Sequence, residues 1–181
     1  MKVISGILKG RKIEGFDISG TRPTMDRVKE SLFAMIQDEV SNSIVLDLFS
    51  GTGNLGIEAL SNGAEFCYFN DVNSECIKVM KENISLFNLV SKSRILNFDY
   101  MKTLKILSNE NIKFDIVLLD PPYKKECLNR VIEFLINDDM LNDEALIVCE
   151  LDNNYLNNIN VPLLKMKRYG NKYVMIFKYE K

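Results

Sequence analysis

The sequence predicts a doubly wound α/β domain, a largely parallel sheet with helices on both faces, finished by an antiparallel hairpin. Three observations lead there. From residue 44 onward, short β-branched or aliphatic runs alternate with longer amphipathic ones, the pattern of strands joined by crossover helices. A glycine-rich turn, Ser50-Gly51-Thr52-Gly53, follows the first run and opens a helical stretch. The last two runs, Leu163–Arg168 and Tyr173–Tyr179, are joined only by Tyr169-Gly170-Asn171-Lys172, too short for a crossover helix, so they pair as a hairpin.

The elements follow in order. Residues 1–43 read as an extension: Val3-Ile4 and Arg11–Ile13 are short strands or an extended arm, and a helix starts near Thr24 with Val28, Leu32, Met35 and Ile36 as its apolar stripe. Residues 44–181 form the main domain. Its strands are expected at Ile44–Leu48, Phe66–Asn70, Ser93–Asn97, Phe114–Leu119 and Ala145–Leu151, and its helices near 54–62, 73–88, 100–108 and 125–136. In the second of these helices Ile77, Met80, Ile84 and Phe87 recur at three- and four-residue spacing, which places them on one face.

Composition narrows the chemistry. At 181 residues with 46% hydrophobic and 27% charged content, the chain has the make-up of a soluble globular domain. No apolar run approaches the roughly 18–20 residues that span a bilayer, and Met1-Lys2-Val3-Ile4-Ser5-Gly6 shows no secretory signal, so a cytoplasmic protein is expected. Histidine is absent, and Cys67, Cys76, Cys127 and Cys149 form no Cys-x-x-Cys pair, which points away from a metal site. Chemistry must then rest on carboxylates, backbone, aromatics and a cofactor. Residues 1–30 carry +3 (seven Lys/Arg, four Asp/Glu) and residues 155–181 carry +5 (six against one), around an acidic middle. Basic ends suit phosphate contacts, though solvated charge explains them as simply.

Asp47-Leu48-Phe49-Ser50-Gly51-Thr52-Gly53 ends the first strand. Glycines there let a nucleoside-sized ligand approach the backbone. Asp71, at the end of the second strand, can accept from both ribose hydroxyls. A dinucleotide-binding dehydrogenase fits equally well up to this point. Asp47 decides against it: a carboxylate before a loop meant for pyrophosphate would repel that ligand. S-adenosylmethionine has no phosphate and carries a sulfonium and an ammonium, which suit a negative charge. Phe98 and Asp99, ending the third strand, offer an apolar face and an acceptor for an adenine amine. Taken singly, each aspartate could be a helix N-cap or turn residue; together they form a nucleoside pocket at the carboxyl edge of the sheet.

Asp120-Pro121-Pro122-Tyr123 leaves the fourth strand. The exocyclic amine of guanine, adenine or cytosine is a poor nucleophile, because its lone pair is delocalised into the ring. A carboxylate and a neighbouring backbone carbonyl can hold its two hydrogens and favour a tetrahedral nitrogen. The prolines stiffen the backbone that presents the carbonyl, and Tyr123 can stack a base taken from its helix. Whether Asp120 is a general base or only an acceptor stays open.

Three motifs together, Arg22–Phe33 ("RPTMDRVKESLF"), Asp47–Ala64 ("DLFSGTGNLGIEALSNGA") and Asp120–Tyr123 ("DPPY"), resemble the RsmD-type family of bacterial 16S rRNA guanine-N2 methyltransferases over nearly the whole chain. The resemblance implies a class I S-adenosylmethionine-dependent methyltransferase, a Rossmann-like sheet of seven strands, acting on one guanine of 16S rRNA during small-subunit assembly. It implies that Asp47, Phe49, Ser50, Gly51 and Gly53 line the methionine side of the cofactor, that Asp71 binds the ribose and Phe98 and Asp99 the adenine, and that Asp120, Pro121, Pro122 and Tyr123 hold the target base. Arg22, Thr24 and Arg27 are expected to meet RNA phosphate, since cations at a helix start oppose the dipole unless a partner is present. Salt bridges from the arginines to Asp26 or Glu30 are the simpler alternative. No metal is expected, and nothing demands more than a monomer. An adenine-N6 or cytosine-N4 enzyme and a non-catalytic assembly factor are the competing readings.

Overall fold

Helices cover both faces of a single seven-stranded sheet in the computed structural model, which describes residues 1–15, 22–121, 125–152, 161–170 and 172–181. The elements are α1 (Arg22–Met35), β1 (Ile44–Asp47), α2 (Asn54–Ser61), β2 (Phe66–Asn70), α3 (Ser74–Leu86), β3 (Ser93–Leu96), α4 (Tyr100–Asn109), β4 (Phe114–Leu119), α5 (Lys125–Asn137), β5 (Leu141–Asp152), β6 (Leu163–Tyr169) and β7 (Lys172–Lys178). Strand order is β3-β2-β1-β4-β5-β7-β6. The first five are parallel; β7 runs antiparallel to both β5 and β6. The order reverses between β1 and β4, and open α/β sheets bind ligands at such a switch point, outside the carboxyl ends of the strands.

Strand side chains alternate between two cores, as the pleat requires. Val45, Ile116, Leu118, Leu146, Val148, Val174 and Ile176 face α1, α2, α3 and the N-terminal arm. Leu46, Val117, Leu119, Ile147, Cys149 and Met175 face α4 and α5. Because both faces are covered, the strands read as continuous apolar runs rather than alternating ones. The stripe of α3 is buried as its spacing predicts, with Ile77, Met80, Ile84 and Phe87 at 5% exposure or less. Asn73 caps that helix by accepting from Glu75 N at 2.9 Å, and Asn88 ends it in the left-handed region at φ 57°.

Several strand ends shift by about one residue from the expected bounds, and the start of β5 shifts further. β5 begins at Leu141 rather than Ala145, because Asn142-Asp143-Glu144 forms an irregularity in the pairing with β4 and Glu144 takes φ 64°. A polar run hides such a strand from any reading of apolar pattern. The N-terminal arm takes the extended alternative, with an antiparallel bridge between Lys2 and Lys12 around a 3-10 turn at Gly6–Leu8. It packs on α2, where Leu8 N donates to Ser61 Oγ at 3.0 Å. Among the described residues no helix is long and apolar enough to cross a membrane.

Candidate active site

The carboxyl ends of β1, β2, β3 and β4 deliver Asp47, Asp71, Asp99 and Asp120 to one rim of the sheet. Three of the four fasten backbone there. Asp47 Oδ2 accepts from Gly56 N at 2.8 Å, tying β1 to the first turn of α2. Asp71 Oδ2 accepts from Gly51 N and Oδ1 from Asn73 N, each at 2.8 Å. Asp99 caps α4, its Oδ1 accepting from Met101 N at 2.9 Å. The N-cap role that any one aspartate could have is therefore present at Asp99, and each of the three retains further acceptor capacity.

The glycine loop is held from below. Ser50 N and Oγ both donate to Asn70 O at 2.9 Å, so the Ser50 hydroxyl is engaged with β2. Gly53 precedes α2 at φ 89°, in the left-handed region, which favours glycine. Phe49, half-buried, meets the Tyr100 ring at 5.6 Å between centroids. Phe98 is 37% exposed, and Lys102 Nζ lies 4.2 Å from its ring centre.

Electrostatics separates two of the carboxylates from the rest. Asp47 is 2% exposed; burial, reinforced by the like charges of Asp120 and Asp71, pushes its carboxyl up to about 7 despite the Gly56 N–H. Asp120 is exposed at the rim, and the protein packed around it still partly desolvates its carboxyl. That desolvation, with the like charge of Glu150, raises it to about 6, while Lys172 pulls it down. No lysine or arginine occurs between Glu30 and Lys78, so no cation from α2 or β2 offsets the charge. The donor set fits a cationic, phosphate-free nucleoside.

Of the other sequence candidates, Pro121 is half-buried beside Asp120, while Pro122 and Tyr123 lie outside the described residues. Arg22 and Thr24 open α1, but their side chains also lie outside that description. Arg27 is exposed, and among the described residues neither Asp26 nor Glu30 pairs with it. Around the final hairpin, Lys165 Nζ donates to Met35 O at 2.6 Å and Lys172 pairs with Glu150.

Three features escaped the sequence reading. Asn70, 2% exposed, accepts at Oδ1 from Thr103 Oγ1 at 2.6 Å and Phe98 N at 3.3 Å, and donates from Nδ2 to Leu48 O at 3.2 Å. It thereby locks three strand ends together; an amide closing an otherwise apolar strand was its only signal. Asn83 of α3 donates to Glu14 O at 2.9 Å and Thr52 O at 3.1 Å, pinning the N-terminal arm to the glycine loop. The third is the Glu150–Lys172 pair beside Asp120.

Strand order, the loop after β1 and the acidic rim define a class I methyltransferase fold of the Rossmann-like type. The chain belongs to the family whose model is described as "Conserved hypothetical protein 95", matched over residues 1–178. It is 38% identical over 152 residues to a Bacillus subtilis protein, YlbH, provisionally named an rRNA methyltransferase, covering 84% of this chain and 83% of that one. Ribosomal RNA small subunit methyltransferase D of Haemophilus influenzae is 34% identical over 173 residues, 94% of this chain and 89% of that protein. A solved Escherichia coli chain, provisionally assigned as the methyltransferase yhhF, superposes with TM-score 0.88 at 28% identity, covering 100% of this chain and 98% of that one. An RNA methyltransferase from Salinibacter ruber, solved with S-adenosyl-L-homocysteine, shares the fold at TM-score 0.68 and 14% identity over 86% of this chain and 92% of that one.

Proposed function

We propose that the protein transfers a methyl group from S-adenosylmethionine to the exocyclic N2 amine of one guanine in 16S rRNA. The observation that carries this reading is the convergence of Asp47, Asp71 and Asp120 at the switch point, the first two on a stretch without Lys or Arg from residue 31 to 77. Such a rim attracts a cation and repels a pyrophosphate. The names of the relatives supply the substrate class.

When bound, S-adenosylmethionine supplies an electrophilic methyl group on a sulfonium. Asp47, Phe49, Ser50, Gly51 and Gly53 would hold its methionine side, Asp71 its ribose, and Phe98 with Asp99 its adenine. Asp120 accepts one hydrogen of the target amine and the backbone beside Pro121 the other, which returns the nitrogen lone pair from the ring for attack. As the N–C bond formed, the sulfonium–methyl bond would break with its electron pair left on sulfur, giving S-adenosylhomocysteine, and the surplus amine proton would pass to Asp120 or to solvent. Pro122 and Tyr123 complete the base site, and Arg22, Thr24 and Arg27 contact RNA phosphate. Residues 1–43 act as an extension serving the 44–181 catalytic domain. The protein works as a cytoplasmic monomer on an assembling small subunit.

The test is incubation with isotopically labelled cofactor and small subunits lacking the modification, followed by mass spectrometry of nuclease fragments. N2-methylguanosine in 16S rRNA is expected; label on adenine or cytosine, or none, would reject the proposal.

A further inference from the structure

Asp120 has two charged neighbours that the proposed chemistry leaves unused. In the parallel pairing of β4 with β5, Leu119 stands opposite Cys149, so Asp120, just past the end of β4, and Glu150, still within β5, stand side by side, about 4.8 Å apart by the usual strand spacing. Both lie on the α1 side of the sheet, since Leu118 and Val148, two residues before them, belong to that core. On β7, Val174 pairs with Glu150 and faces the same core; Lys172, two residues away, shares its face and reaches Glu150 as an ion pair. The pair is accessible, with side chains 40% exposed at Lys172 and 20% at Glu150. An accessible pair of this kind contributes only about 0–1 kcal/mol to stability, so the ion pair itself does little to hold the fold.

Acceptor, acceptor and donor thus run across β4, β5 and β7. Guanine presents the complement along one edge: the N2 amine, then N1–H, then the O6 acceptor. Adenine presents an amine beside an unprotonated N1, and cytosine an amine beside an unprotonated N3; either ring nitrogen would meet the Glu150 carboxylate lone pair to lone pair. We infer that Glu150 and Lys172 read the target base, Glu150 accepting from guanine N1–H and Lys172 donating to O6, while Asp120 holds the N2 amine. This rests on the guanine reading above and names the residues that enforce it. Like charge between Asp120 and Glu150 is relieved when each receives a base hydrogen.

The test replaces the mapped guanine by 2-aminopurine in small subunits rebuilt from ligated 16S rRNA. That base keeps the N2 amine but has an unprotonated N1 and no O6. Wild-type protein should methylate it about 10- to 100-fold more slowly in kcat/KM than guanine, the discrimination of one good base-edge contact pair. In Glu150→Gln the amide can donate to that N1, so the ratio should narrow toward unity, chiefly through slower reaction on guanine. Lys172→Met should narrow it partly. Calorimetry with S-adenosylhomocysteine on each variant checks that the cofactor site is intact. A merely structural role would slow both bases equally and leave the ratio unchanged, which overturns the inference, as does equal reaction of wild type on both bases. Absence of any methyl on guanine N2 by wild type defeats the functional proposal itself and this inference with it, so the two failures are told apart.

Discussion

Lys29 Nζ lies 2.8 Å from Glu58 Oε2, and both side chains are sealed from solvent at 1% and 0% exposure. The lysine also donates to Lys2 O at 2.7 Å and Asn54 Oδ1 at 2.8 Å, which uses its three protons. Glu58 accepts from Ile4 N at 3.0 Å and from Ser5 N and Oγ at 2.7 and 2.9 Å. Burial lowers the Lys29 pKa while Glu58 opposes that shift. One buried pair thus joins the N-terminal arm, α1 and the start of α2, directly after the glycine loop.

Removing one member leaves the other charged and unpaired in the interior, so Lys29→Met should lose about 3–5 kcal/mol of stability. Lys29→Met combined with Glu58→Gln should lose less than Lys29→Met alone, because the amide still accepts from the arm without a buried charge. Urea unfolding of both variants measures the difference. A double variant no more stable than the single one would show that the charge is not the cost.

Asp47 sets a pH dependence for cofactor binding. Its carboxyl, pushed up to about 7, must ionise to attract a sulfonium, so affinity for S-adenosylmethionine should rise as pH goes from 6 to 8, by about tenfold. Binding near pH 7 should release a proton, visible by calorimetry in buffers of different ionisation enthalpy. The stability effect has the opposite sign. A folded pKa above the unfolded value means this group favours the folded state most below pH 4 and loses that contribution as pH rises through 7. Asp47→Asn should therefore bind cofactor at least tenfold more weakly, without the pH trend, and be no less stable than wild type at pH 8.

Asp120 should govern the chemical step. Acceptance of an amine hydrogen needs the carboxylate, raised to about 6, so single-turnover rates should climb with pH through 6 and then level. Asp120→Ala should slow the step by about 10²–10³-fold, as loss of a transition-state hydrogen bond does. Its S-adenosylhomocysteine affinity should remain within about threefold of wild type.

Gly56 marks where α2 closes on β2. A Cβ there would lie 2.2 Å from Phe69 Cε1 and 2.8 Å from Cys67 Sγ. Gly56→Ala should lose about 1–3 kcal/mol to overpacking, against a helix-propensity gain of about 1 kcal/mol. Thermal or urea melts should show a net loss of stability.

Much of the molecule was legible in the chain because it is written locally. Apolar runs such as Ile116–Leu119, the three- and four-residue spacing of Ile77 to Phe87, the glycines after Asp47 and the short link between β6 and β7 each act within a few residues, where helix period, strand pleat and turn stereochemistry leave few choices. The positions of Asp47, Asp71, Asp99 and Asp120 were readable for the same reason: each stands at or just past the end of its own strand. Lys29 with Glu58, Asn70 with Thr103, and Glu150 with Lys172 were not. In sequence, each is one polar residue among many that could be solvated, and its partner stands 22 to 33 positions away. Only the register of paired strands and the packing of helices bring such groups together, for Lys29 with Glu58 and Asn70 with Thr103 in a space too dry for either to remain alone, for Glu150 with Lys172 at the open rim, and only there does an ordinary charge acquire a role.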